Sequence, residues 1–204
     1  MNTPHKNRIV KIIVWIVGVI ILIAALLVVA AFFWPATSKQ LQSSNSEKLN
    51  YNQSVAAAIR TINGDSSNTD IRPECRSIIK THGKKTAKAV MMIHGVSACP
   101  QQFADLGDTF FNAGYNVYIP RVPSHGLTDN KRHGEITVPA MAQFMNSSTS
   151  IISGLGDETG IVGLSGGANM ATWITQYNSQ TISRALLLSP FYQPSASETP
   201  SWKI

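Results

Sequence analysis

Charge is the first thing this sequence has little of. Asp, Glu, Lys and Arg make up 14% of its 204 residues, while 44% are hydrophobic. A formal net charge of +6 raises the question of a nucleic-acid partner. Lys6, Arg8 and Lys11 cluster before an apolar run, however, and the other basic residues are scattered, so no stripe exists to follow a phosphate backbone. The small group Lys84, Lys85 and Lys88 reads as an ordinary solvated loop. Histidine is equally sparse: His82, His94, His125 and His133 lack the short spacing that zinc ligands use, and neither a metal nor a cofactor is expected. Cysteine is limited to Cys75 and Cys99, which permit one pair at most. No internal repeat is visible.

What the chain does have is a long stretch without charge. From Ile12 to Trp34 every residue is apolar or glycine, and as a helix at 1.5 Å per residue the run spans roughly 35 Å, enough for a bilayer. A secretory signal has a shorter apolar segment, about 7–15 residues, and ends in a small-residue cleavage site. This run ends in Phe32, Phe33 and Trp34 before Pro35. The reading is an uncleaved transmembrane helix over 12–34, with a cleaved signal cut near Ala30 as the alternative. The unbalanced cations on 1–11 place that flank in the cytoplasm and the rest of the chain on the other side, as a single-pass membrane protein. Trp15 and Trp34 suit the two interfaces. Residues 35–48, rich in Ser, Asn, Gln and Lys, read as a polar stalk. Cys75 and Cys99 then lie in an oxidising space where a pair tends to close, two unrelated buried thiols being the alternative.

Beyond the stalk, Leu49, Val55, Ala56, Ile59 and Ile62 recur at helical spacing and predict a short helix stopped at Asn63-Gly64, followed by a loop. From there short apolar runs alternate with helical patterns. Strands are expected at 77–81, 89–93, 117–119, 161–164 and 185–188. Helices are expected from Cys99-Pro100 to Gly114, with Phe103, Leu106, Phe110 and Phe111 on the inner face, within 138–152, and from Gly166 to Tyr177. Such alternation predicts an α/β fold, a doubly wound and mostly parallel sheet covered by helices on both faces.

Two stretches carry chemistry. Gly163-Leu164-Ser165-Gly166-Gly167 is G-x-S-x-G between a predicted strand and a predicted helix, the setting in which that pattern denotes a nucleophile elbow. The turn is tight enough to require glycine at 163 and 167, and it pushes Ser165 out at the sheet's C-terminal edge. Residues 90–103, VMMIHGVSACPQQF, end a strand in His94-Gly95 and start a helix after Pro100. The backbone N–H groups of Val96 and Gly166 are candidate oxyanion-hole donors there.

Taken in order, strand-HGxxxxP, then GYNVYIPRVPSHGLTD, then GLSGG, this sequence resembles the α/β-hydrolase superfamily, in its bacterial esterase, lipase and serine-aminopeptidase-like branch. The likeness runs from about Leu49 to Pro194. It implies Ser165 as nucleophile, Val96 and Gly166 as oxyanion donors, and His94 with Gly95 as structural residues of the oxyanion loop. It also implies that His125 and Asp129 belong to the loop after the fourth strand. A cysteine ahead of the oxyanion strand and another just after it also occur in a group of these hydrolases, matching Cys75 and Cys99.

The family's triad runs serine, acid, histidine along the chain, and a serine hydroxyl needs a base to become nucleophilic. After Ser165 the sequence holds Glu198 and no histidine. Only His125 and His133, among the earlier histidines, are placed to reach the serine. Counted on the fold it resembles, the chain stops after the sixth of eight strands. Residues 49–204 therefore read as the N-terminal portion of an α/β-hydrolase domain, with the strand at 185–188 left as an exposed apolar edge. The expected activity is cleavage of a small-molecule or lipid-like carboxylic ester, or a related acyl bond, by a membrane-held serine hydrolase, with this chain alone expected to be inactive because the triad acid and histidine are missing from it. A catalytically inactive relic or binding module is the rival.

Overall fold

The computed structural model describes residues 4–33 and 38–192, which fall into two units, Met1–Ser38 and Lys39–Ile204. Among the described residues the first unit holds one helix, α1 (Pro4–Phe33). Its segment Arg8–Ala31 has a mean hydropathy of 3.4 and is long and apolar enough to cross a membrane or to act as a signal sequence. Trp15 is exposed on it, whereas Trp34, Pro194 and Glu198 lie outside the described residues.

In the second unit the polar stretch expected as a stalk is bonded to the domain from Leu41 onward. The Trp173 indole donates to the Leu41 carbonyl at 2.7 Å, Ser44 bonds Asn146 and Asn178, and Ser150 and Ser153 accept from the amides of Glu47 and Leu49. Polar side chains here satisfy backbone groups that a solvated linker would leave to water.

Helix α2 (Tyr51–Ser67) opens with a reciprocal capping box between Asn50 and Gln53. It runs through Asn63-Gly64, where the sequence suggested a stop. Asp65 explains why. Its buried carboxylate accepts from the Ser77 amide and hydroxyl, at 2.8 and 2.7 Å, and pairs with Arg121 at 2.9 Å, which fixes the last turn. The inner face is also rotated from the one expected: Ser54 and Ala58 are buried and Ile59 is exposed. Small residues let α2 approach closely, and a methyl group on Gly154 would meet the Ser54 hydroxyl at 2.4 Å.

Five strands form one sheet in the order β1-β3-β2-β4-β5. They are β1 (Ile78–Lys80), β2 (Thr86–Ile93), β3 (Asn116–Ile119), β4 (Gly156–Leu164) and β5 (Ile182–Leu188). All neighbours are parallel except β1, which runs antiparallel to β3 at one edge. The five strands among the described residues are those read from the apolar runs, one fewer than the count of six taken from the resemblance.

Alternation along β2 splits the core. Ala89, Met91 and Ile93 face α2, α4 (Val138–Ser153) and α5 (Gly166–Tyr177), with Phe144, Met145, Ile152, Ala171 and Ile174. Val90 and Met92 face Phe103 and α3 (Ala104–Asn112), with Val117, Ile119 and Val162. On α3 the inner position is Gly107, whose added methyl would lie 2.9 Å from Ile119, and Leu106 points outward, contrary to the pattern read from sequence. Helices thus cover both faces, with β5 at the far edge and Leu186 half-exposed on it.

Candidate active site

The site is built where the parallel strands end. The described residues contain four non-glycine positions of positive φ, all serines: Ser97, Ser124, Ser165 and Ser189. They follow β2, β3, β4 and β5 respectively, so strained backbone is gathered along the sheet's carboxyl edge, where open α/β sheets bind ligands.

Ser165 caps α5 with φ 53° and ψ −120°. Its amide donates to the Leu188 carbonyl at 2.8 Å, and its carbonyl accepts from the amides of Ala168 and Asn169 at 2.8 and 3.3 Å. The backbone around the serine is therefore fully bonded while the side chain stays half-buried at the bend. Glycine is required on both sides by close approach. A methyl group on Gly163 would meet the Gly167 carbonyl oxygen at 2.5 Å, and one on Gly167 would meet the oxygens of Ile93 and His94 at 2.1 and 2.5 Å.

The loop after β2 passes directly beside this bend. A methyl group on Gly166 would sit 2.5 Å from Val96 Cγ2 and 3.7 Å from Val96 N, and one on Gly95 would sit 3.6 Å from Ser165 Cβ. Among the described residues neither the Val96 nor the Gly166 amide has a hydrogen-bond acceptor. Two unpaired N–H groups thus flank the serine, at the C-terminal edge of neighbouring strands and at the N-terminus of a helix, where the dipole favours negative charge.

His94 is fully buried. Its Nε2 accepts from the Val122 amide at 3.1 Å and its Nδ1 donates to the Gly95 carbonyl at 2.9 Å, which fixes the tautomer. Burial is the chief cause that lowers its pKa from 6.5 to about 4, with the charges of His125, Arg121 and His133 acting in the same direction, so the ring is neutral. His125 is also buried, its Nδ1 bonded to the Pro123 carbonyl at 2.8 Å, and desolvation lowers its pKa. His133 lies against it with ring centroids 4.6 Å apart. His82 stacks on Phe111 at the far side of β3. None of the histidines at 82, 94, 125 and 133 bonds Ser165. Asp129 caps the turn after its loop by accepting from the Lys131 amide.

Cys75 and Cys99 are joined, with Cα atoms 5.1 Å apart. Their bridge ties the turn before β1 to the end of the loop after β2. Gly126, at φ +68°, packs against it so closely that a methyl group would meet Cys75 Cβ at 2.5 Å. Sequence reasoning did not single out Gln102 or the Asp65–Arg121 pair. Gln102 Oε1 accepts from the Gly95 amide at 2.9 Å. No periodicity marks either, because each acts through a contact set by the fold.

A mostly parallel sheet with helices on both faces and a serine elbow between β4 and α5 define the α/β-hydrolase class. Within it, the chain belongs to the serine aminopeptidase S33 family of hydrolases, whose pattern matches residues 84–204. No curated protein matches the chain. Solved structures do. A chain from LipS and LipT, two metagenome-derived lipolytic enzymes, is 20% identical with a TM-score of 0.52, over 64% of this chain and 54% of its own. N-formylmaleamic acid deformylase from Pseudomonas putida S16 is 15% identical, TM-score 0.43, over 62% and 48%. The 2-hydroxy-6-oxo-6-phenylhexa-2,4-dienoate hydrolase of Rhodococcus sp. strain RHA1 is 14% identical, TM-score 0.41, over 58% and 43%. The chain spans about half the length of these structures, and the first of them supports the fold.

Proposed function

We propose that this protein is a membrane-anchored serine hydrolase that cleaves a carboxylic ester, or a related acyl bond, through an acyl-enzyme on Ser165. The observation that carries the reading is the pair of unpartnered amides, Val96 and Gly166, beside a serine held at positive φ. Ser165 Oγ attacks the carbonyl carbon, and the resulting oxyanion lies between the two N–H groups, which are worth several kcal/mol when preorganised. Collapse expels the alcohol, and water then releases the acid. Among the described residues no histidine is bonded to Ser165: His94 has both ring nitrogens engaged, and His125 and His133 lie against each other with ring centroids 4.6 Å apart. A non-catalytic module that retains the elbow is the second reading, and the same lack of a histidine on Ser165 is what favours it.

The anchor is the apolar run at 12–34, with its cationic flank in the cytoplasm and the hydrolase unit outside. Substrates that partition to a membrane, lipid-like esters, suit that location. In a protein that also supplies the triad acid and histidine, a short-chain nitrophenyl ester should be hydrolysed, and Ser165→Ala should reduce turnover to the uncatalysed background; this chain alone is expected to be inactive. Equal turnover by the variant would remove Ser165 from the mechanism.

A further inference from the structure

We propose that Gln102 is a positioning residue that holds the oxyanion loop in its working orientation; this rests on the reading of Ser165 and Val96 given above. Each peptide group is planar, so the direction of the Val96 N–H is set by the Gly95 carbonyl in the same plane. That carbonyl is held by His94 Nδ1 at 2.9 Å and by the Ala98 amide at 3.2 Å. The preceding plane carries the Gly95 N–H, and Gln102 Oε1 takes it at 2.9 Å. Glycine between two planes is otherwise the freest residue in the chain. With one plane fixed by His94 and the other by Gln102, both of its dihedrals are determined and the Val96 amide is left aimed without an acceptor of its own.

Gln102 is in turn well supported. It lies in the 3-10 turn Pro100–Phe103, its own amide donating to the Cys99 carbonyl at 2.9 Å. Cys99 is fixed by the disulfide on one side, and Phe103 is 5% exposed in the α3-side core on the other. A methyl group on Gly95 would lie 3.4 Å from the Leu164 carbonyl oxygen, 3.6 Å from Ser165 Cβ and 3.8 Å from Gln102 Oε1. The glycine is thus clamped between the elbow and this one side chain. The bond crosses seven residues from loop to turn, so truncating it leaves both elements folded and frees only the plane that Gln102 holds.

The test uses the full chain in detergent, with Gln102→Leu to remove the acceptor at similar size and Gln102→Glu to keep an acceptor of the same reach. Amide hydrogen exchange over residues 95–98 should rise in Gln102→Leu and stay protected in Gln102→Glu, with α4 unchanged in both as the control for folding. In the same Gln102→Leu sample the maximal rate of phosphonylation of Ser165 by a fluorophosphonate should fall roughly 10- to 100-fold, as expected for a small misplacement of a stabilising group. The half-saturating probe concentration should not move. Unchanged exchange at 95–98, or raised exchange with an unchanged maximal rate, overturns the role of Gln102 while leaving Ser165 in place. A parent chain that does not label at all is a different failure, that of an activated Ser165 in this chain, and takes the positioning role with it.

Discussion

His94 shows how one buried side chain links the site to the stability of the domain. An unfolded chain takes up a proton at this residue near its ordinary pKa of 6.5, whereas the folded protein resists until about 4. Between those values the unfolded state binds more protons, so stability rises with pH across the window and is lost as pH falls through it. The size of the shift corresponds to about 3 kcal/mol by pH 4, below which both states are protonated and the slope ends. Burial lowers His125 as well, in the same direction. Denaturant unfolding at a series of pH values should show this decline between pH 6.5 and 4, and a flat profile over that window would contradict a neutral, doubly bonded His94. The ring's value to the site is its pair of bonds, from Val122 and to Gly95, which a charged imidazole could not both keep. Ser165 is the complementary case. Its hydroxyl is left without a partner among the described residues while its backbone is fully bonded, as expected of a side chain kept free for a reacting molecule.

Elements divide into those the sequence announced and those that depend on partners far along the chain. The elbow was legible because G-x-S-x-G encodes its own sterics: glycine at 163 and 167 is demanded by contacts of 2.5 and 2.1 Å. The parallel strands were legible as apolar runs, though β4 begins at Gly156 rather than 161, since its first half carries Asp157 and Glu158 and is strand only by pairing with β2. The extension of α2 past Asn63-Gly64 was not legible, because the cause is an ion pair between Asp65 and Arg121, 56 residues apart. The same holds for Gln102, whose partner is fixed only once the loop and turn are folded. The Cys75–Cys99 bridge belongs with these long-range ties. Its sequence separation of 24 corresponds to about 3–4 kcal/mol of stabilisation on the chain-entropy estimate. Cys99→Ala should lower the denaturant midpoint accordingly, to the value that the parent shows in reductant. Equal midpoints for parent and variant under oxidising conditions would show that the tie carries no stability.

For the molecule as a whole, two units are joined in one chain: an apolar helix whose segment Arg8–Ala31 is long enough to cross a membrane, and an α/β-hydrolase sheet with the Ser165 elbow among the loops after β2 to β5. If the helix is an uncleaved anchor, the full-length mass should stay with membranes through alkaline carbonate washing and be released only by detergent. Release of a shortened chain by washing alone would favour a cleaved signal. The account rests most heavily on Ser165 as the reacting group, and one measurement addresses it without a known substrate. The full chain is treated with a fluorophosphonate, its intact mass is measured, and the adduct is mapped by peptide sequencing. The prediction is a single phosphonyl group on Ser165 that is absent from Ser165→Ala. An adduct on any other residue would contradict the Ser165 reading and leave the elbow as a structural turn, whereas an unmodified chain would show that this chain does not activate Ser165.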